Sequence, residues 1–227
     1  MEYGTAYRSM VASYLELFKE NGVSPKSLGW MNGKQFLRFK QLLDGIALND
    51  MHLLDVGCGF GDLILYLKNL NIKNFEYTGY DIVDTFIKEA QKIHHSPTTH
   101  FIQGDFLDHT PKGIVYDFGV ASGTFNHFLE GIDPYTMVNA FMKKMLQSCR
   151  IGISLDFLSD QVDYKNDHNF HYSPIKILEM GYQYSKNVSL NNHFFPFEFS
   201  VRILKDESFS KKTTTFLDIE KKFKHLI

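Results

Sequence analysis

Apolar residues recur three and four apart over residues 7–20 (Tyr7, Met10, Val11, Tyr14, Leu15, Leu17, Phe18) and again over 34–47 (Phe36, Leu37, Phe39, Leu42, Leu43, Ile46). That spacing places them on one face of a helix, so two amphipathic helices are predicted, with a break at Asn21-Gly22-Val23-Ser24-Pro25 between them. From residue 51 the pattern changes. Short apolar runs at 51–56, 75–80, 99–103, 114–121 and 150–157 read as strands, and helical spacing at 61–70, 84–94 and 134–148 falls between them. Strands alternating with helices call for a parallel, doubly wound sheet. Asp84 is the expected N-cap of the helix over 84–94. The last third differs again: 174–182 is predicted helical, and 184–190 and 198–205 are predicted strands joined by a turn, which adds an antiparallel edge. The charged tail, 206–227, is expected to end in a helix over 217–226. The fold class is thus α/β: a doubly wound, mostly parallel seven-stranded sheet with an antiparallel edge strand. It forms a single domain, 1–227, made of an N-terminal helical lid (1–48), an α/β core (49–205) and the tail (206–227).

Composition changes this picture little. The 227 residues suffice for one sizeable core. A net charge of −2 points neither to a general nucleic-acid binder nor to a membrane-surface protein. No apolar run is long enough to span a bilayer. Residues 1–10 lack a basic region followed by an apolar block, so a secretory signal is not expected and the chain is read as cytoplasmic. Two cysteines, Cys58 in a glycine-rich loop and Cys149 after a helix, do not suggest a disulfide. The abundant Phe and Tyr are assigned first to the core.

The chemistry begins at Leu53-Leu54-Asp55-Val56-Gly57-Cys58-Gly59-Phe60-Gly61-Asp62, a strand running into a glycine-spaced turn and then a helix. Glycines allow positive φ and close approach of a ligand to the main chain, and the N–H groups of the first helical turn face that ligand. Dinucleotide enzymes use G-x-G-x-x-G. Here the spacing is G-x-G-x-G, Asp62 stands where a third dinucleotide glycine belongs, and Asp55 ends the strand. That argues against a nicotinamide oxidoreductase and for a ligand with cationic character.

The segment resembles motif I of the class I S-adenosylmethionine (SAM)-dependent methyltransferases, and further parts follow in order. The resemblance implies a Rossmann-like methyltransferase fold and a SAM site whose product is S-adenosylhomocysteine (SAH), with the acidic residue of motif I, Asp55, near the amino-acid end of SAM. Thr78-Gly79-Tyr80-Asp81-Ile82 ends a second strand in a carboxylate suited to two ribose hydroxyls. Ile82 would then lie against the adenine. Phe101-Ile102-Gln103-Gly104-Asp105-Phe106 is similar to the family's adenine motif, in which Asp105 accepts from the exocyclic amine and the Phe106 N–H donates to the ring. Tyr116 to His127 is a strand ending in small residues; the family sets the transferable methyl beside this loop, at Ser122. Arg38, a planar fork, is expected to meet the SAM carboxylate, with Lys34 and Gln35 as fallback partners. The likeness covers roughly residues 30–205, and the stretches 24–53 and 156–164 resemble a little-characterised bacterial branch that names no substrate.

Methyl transfer needs an oriented nucleophile and, for a neutral hydroxyl or amine, a base. His127 is the first candidate base, because an unperturbed imidazole titrates near neutrality. Asp160, Asp163 and His171, in the loop after the fifth strand, are expected to face the same crevice. His168-x-x-His171 does not have the spacing of a zinc-protease motif, and no metal is assigned. His94-His95 reads as structural. The expected acceptor is a small polar metabolite, methylated at a hydroxyl, carboxylate or phosphate-type oxygen. N-methylation is the runner-up, since an Asn-Pro-Pro-Tyr-type motif is absent after the fourth strand and Ala121-Ser122-Gly123-Thr124 stands there. A catalytically silent SAM-binding protein is the rival from another class. No nucleic-acid or membrane partner is expected, and the chain is read as a monomer or homodimer.

Overall fold

The computed structural model describes residues 6–30, 34–108, 116–166 and 168–205. The predicted helix over 217–226 lies outside them. Two helices, α1 (Ala6–Asn21) and α2 (Gln35–Leu43), precede the sheet. The core then runs β1 (Met51–Val56), α3 (Asp62–Asn69), β2 (Phe75–Asp81), α4 (Asp84–Ile93), β3 (Thr99–Gln103), β4 (Tyr116–Ala121), α5 (Pro134–Ser148), β5 (Cys149–Leu158), α6 (Pro174–Tyr182), β6 (Asn187–Asn191) and β7 (Glu198–Leu204).

The seven strands are ordered β3-β2-β1-β4-β5-β7-β6. Strands β1 to β5 pair in parallel, whereas β7 pairs antiparallel with both β5 and β6. The expected class therefore holds, with one refinement: the antiparallel strand sits one place in from the edge, and β6 forms the edge itself. After β1 the chain winds outward through β2 and β3, then returns to place β4 on the other side of β1. This reversal opens a crevice at the carboxyl ends of β1 and β4, where open α/β sheets take their ligands.

Local chemistry explains most element boundaries. Asp133 caps α5 by accepting from the Thr136 N–H at 2.8 Å, with Pro134 at the first helical position. Ser173 and Pro174 open α6 in the same way. The predicted helix over 34–47 ends at Leu43, because Gly45 turns the chain with φ +71°. The predicted strand over 184–190 starts only at Asn187: the Tyr184 and Ser185 N–H groups still close the end of α6 on Gly181 O.

β7 is buried on both sides, with Phe199, Val201 and Ile203 fully covered. Its insertion depends on Gly152 in β5, where an added Cβ would lie 2.3 Å from the Ile203 carbonyl oxygen. An aromatic row then runs beneath the crevice: Phe125 stacks on Phe157 (5.4 Å between centroids), and Phe157 stacks on Phe199 (5.4 Å). Each such pair contributes about 0.5–1.5 kcal/mol beyond its buried area. The row ties the loop after β4 to β5 and β7. Among the described residues, no helix is long and apolar enough to cross a membrane.

Gly152→Ala should destabilise the fold by about 1–3 kcal/mol, the usual cost of overpacking. A thermal melt checks this, and an unchanged midpoint would mean that β7 moves aside without cost.

Candidate active site

The crevice is a cavity at the carboxyl ends of β1, β2 and β4 whose space, including solvent at its open mouth, is about 1060 Å³, roofed by Tyr7, Met10 and Tyr14 of α1. Its floor is the glycine loop. Gly57, Gly59 and Gly61 have φ of +76°, +54° and +79°, the left-handed region that only glycine enters without strain. The Gly57 and Cys58 N–H groups donate to Tyr80 O at 2.8 and 3.0 Å. A Cβ on Gly57 would lie 2.5 Å from Thr124 Oγ1, and that hydroxyl donates to Val56 O at 2.7 Å. The loops after β1 and β4 are thus in direct contact.

Carboxylates dominate the polar lining. Asp55 is buried and accepts from Tyr77 Oη at 2.8 Å; burial raises its pKa to about 7, a shift the tyrosine bond opposes. Asp81 is raised to about 6 by burial, against the pull of backbone N–H donors. Its Oδ2 accepts from Gly59 N and its Oδ1 from Val83 N, both at 2.8 Å. Asp81, not Asp84, therefore organises the start of α4: Val83 occupies the cap position and Asp84 is the first helical residue. Each Asp81 oxygen accepts one of these bonds, and the Ile82 N–H also helps to hold the carboxylate. Asp105 Oδ1 accepts from Leu107 N at 2.8 Å, which fixes the turn after β3 so that both Asp105 and Phe106 line the cavity. Ile82 lines it as well. Among the described lining residues there is no lysine or arginine.

The loop after β4 is held from behind. Ser122 Oγ donates to Asp156 Oδ2 and Gly123 N to Asp156 Oδ1, both at 2.6 Å. His127 also lines the cavity, with its Nε2 2.9 Å from Tyr14 Oη. Burial lowers the His127 pKa, with His168 adding to the effect, so the ring is neutral at pH 7. Where Nε2–H donates to the phenol oxygen, Nδ1 carries the free lone pair and is the basic atom.

Other sequence expectations take a different course. Arg38 is buried but is not among the residues lining the cavity. Its Nε donates to Glu198 Oε2 at 2.6 Å and its Nη2 to Glu198 Oε1, so the fork already grips a carboxylate of the chain itself. Gln35, one of the fallback partners, does line the cavity. Asp160, Asp163 and His171 do not line it either. The loop after β5 is stitched to the loop after β4 by Phe128 N→His168 O (3.1 Å) and Phe170 N→Asn126 O (2.9 Å). That pairing carries the three side chains elsewhere: His171 Nδ1 is 2.8 Å from Ser159 O, Gln161 Nε2 donates to Asp160 Oδ1, and Asp163 is exposed. Asp156, Glu198 and Tyr14 are the site residues that sequence reasoning missed. A lone acid inside the apolar run Ile153 to Leu158 was a visible signal for Asp156; nothing local marked the other two.

Residues 54–152 match the family model described as "Methyltransferase domain". Over that segment, less than half of the chain, the protein resembles a methyltransferase domain. Among solved structures it is similar to magnesium protoporphyrin IX methyltransferase from Synechocystis PCC 6803, solved with SAH, at a TM-score of 0.61 and 13% identity over 88% of this chain and 95% of that one. The plantazolicin methyltransferase BpumL, solved with a triazolic desmethylPZN analogue and SAH, gives 0.62 and 14% over 88% and 95%. A SAM-dependent methyltransferase from Aquifex aeolicus gives 0.56 and 14% over 84% and 97%. At these identities the likeness is one of fold. No curated protein matches the sequence significantly.

The raised carboxyl groups make binding of a cationic cofactor pH-dependent. A cation favours the ionised carboxylates, so SAM binding should release protons, and affinity should rise as pH increases from about 5.5 to 8, through the pKa values near 6 and 7. Without ligand the sign reverses. A folded-state carboxyl pKa above its unfolded value means the folded chain binds protons more tightly, so stability from these groups falls as pH rises from about 4, where the unfolded carboxyls ionise, to about 7, and then levels off. Calorimetry across pH tests the first statement; a flat affinity would remove Asp55 and Asp81 from cofactor binding.

Proposed function

We propose that this methyltransferase transfers a methyl group from SAM to the oxygen of a small, neutral polar metabolite, with His127 as the proton acceptor. SAM supplies the methyl on a sulfonium, a leaving group that needs no acid. The residues present suit that cofactor. Asp81 suits a diol, Asp105 and the Phe106 N–H suit an adenine edge, and Ile82 suits its face. The glycine loop and Asp55 suit the amino-acid end, and Gln35, in place of Arg38, suits the carboxylate. Ser122 lies behind the reacting region as part of the wall.

The observation that carries the acceptor reading is a neutral His127 on a cavity lined by acids and free of lysine and arginine among the described residues. An anionic carboxylate or phosphate acceptor would find like charge there and no cation to position it. A hydroxyl needs only orientation and a base. His127 and Tyr14 on the wall, polar and hydrogen-bonded to each other, also argue against a catalytically silent SAM-binding protein. The same acidity suits an amine, so N-methylation is the second reading. Labelled SAM incubated with acceptor pools, followed by chemical typing of the product, separates the two.

Two substitutions test the parts. Asp81→Asn should weaken SAM binding by about 1.5–3 kcal/mol, the range for hydrogen bonds to a charged group; unchanged calorimetric affinity in the folded variant would take Asp81 out of the cofactor site. His127→Gln should lower kcat by roughly 10²–10⁴-fold while SAM affinity holds, and should remove the limb of the pH–rate profile that rises through the histidine pKa. If KM for the acceptor rises instead and kcat holds, His127 positions an acceptor that is already anionic.

A further inference from the structure

Behind the cavity wall lies a buried cluster of three charges drawn from distant parts of the chain: Arg38 of α2, Asp156 of β5 and Glu198 of β7, each no more than 5% exposed. The Arg38 fork holds Glu198. Arg38 and Glu198 both act electrostatically on Asp156, the first favouring its ionised form and the second opposing it. One guanidinium facing two carboxylates leaves a net charge of −1, and Asp156 is the member not gripped by the fork. It is bound instead to the wall, through Ser122 Oγ and Gly123 N.

The cluster also holds the wall from the other side. The Arg38 guanidinium carbon lies 3.8 Å from the centroid of the Trp30 ring, and Trp30 lines the cavity. The far edge of that indole abuts Gly123, where an added Cβ would lie 2.4 Å from the ring and φ is +68°. Asp156, Gly123, Trp30 and Arg38 thus form a circuit around one turn of the loop after β4, in which Arg38 and Asp156 are joined by electrostatic attraction rather than by a hydrogen bond.

We propose that Asp156 is a positioning residue of this methyltransferase: by holding the Ser122 hydroxyl and the Gly123 amide while sharing Arg38 with Glu198, it sets the Ser122–Thr124 turn and the Trp30 wall that closes on it. A purely structural ion cluster would be balanced in charge, because an excess buried charge costs stability. Burial pushes the Asp156 carboxyl up to about 6, which is the mark of a group kept ionised at a cost to the fold. The inference rests on the SAM-site reading above and concerns residues that do not themselves line the cavity, apart from Ser122, Gly123 and Trp30.

Trp30 is the chain's single tryptophan, so its fluorescence reports on this circuit without any acceptor. In Asp156→Asn the amide keeps one acceptor oxygen, cannot serve both donors as the carboxylate does, and removes the excess charge. The expected result has three parts: a melting midpoint of the unliganded protein equal to or above wild type, SAM affinity roughly tenfold weaker by calorimetry, and a shifted Trp30 emission whose response to SAH is reduced. Ser122→Ala should weaken SAM binding less, since the Gly123 bond remains, and the double variant should fall short of the sum, because both act through one carboxylate. Arg38→Lys, which keeps the charge but loses the planar fork, should shift Trp30 emission in the unliganded protein.

Wild-type affinity and emission in Asp156→Asn would overturn the proposal. So would a lowered melting midpoint or failure to fold, either of which marks Asp156 as structural. Strict additivity with Ser122→Ala would overturn it as well. If the wild-type protein does not bind SAM, the cofactor reading fails separately, while emission of the unliganded Arg38 and Asp156 variants still tests the circuit.

Discussion

The candidate site is governed by carboxylates buried where no lysine or arginine among the described lining residues balances them. Asp55 and Asp81 line the cavity and are raised to about 7 and 6 by burial, and Asp156, behind the wall and beside Arg38, is raised to about 6. Taking a carboxylate out of water without a cation is among the more costly acts in folding. The fold meets that cost with oriented donors: two backbone amides for Asp81, the Tyr77 hydroxyl for Asp55, a serine hydroxyl and an amide for Asp156. Fixed dipoles of this kind stabilise negative charge without neutralising it. The cavity therefore keeps a field that attracts a cation, which a wall of salt bridges would cancel.

The same donors shape the backbone. Asp81 accepts from Gly59 at one oxygen and from Val83 at the other, so one side chain sets both the glycine loop and the start of α4. Gly57 admits Thr124 at a distance no Cβ would tolerate, and the Thr124 hydroxyl returns a bond to Val56 O. Removing water from the crevice and holding the loops around it are one event. Electrostatic preorganisation and local turn geometry cannot be altered separately at these positions.

What could be read from the chain sorts by the range of the interaction. Strands and helices of the core follow from short-range periodicity, and the glycine loop, Asp81 and Asp105 follow from residues a few positions apart, so they were legible. Arg38 was legible as a planar fork suited to a carboxylate, but the carboxylate it grips is Glu198, 160 residues away. No local pattern announces such a partner; only the insertion of β7 between β5 and β6 brings it near. The loop after β5 shows the same limit. Its acids and histidines have suitable chemistry, yet the backbone pairing of 126–128 with 168–170 decides where they point, and that pairing is nonlocal. Tyr14 reads as one more apolar position of an amphipathic helix until its hydroxyl is found against His127, 113 residues away.

That last pairing indicates how the N-terminal helix serves the chemistry. α1 buries Tyr14 against Phe86, with ring centroids 5.7 Å apart, and against His127 at 4.9 Å, so its apolar packing and its polar contact come from one side chain. Burial holds the Tyr14 hydroxyl protonated and His127 neutral at the same time. A neutral imidazole beside an acidic cavity would ordinarily gain a proton, since nearby carboxylates favour the cation. Desolvation by burial, to which Tyr14 of α1 contributes through its contact with the ring, is the largest effect on His127 and opposes this. The helix thus acts on the basicity of the ring as well as on access to the cavity. Loosening α1 would expose the ring to water and let its pKa return toward the ordinary imidazole value.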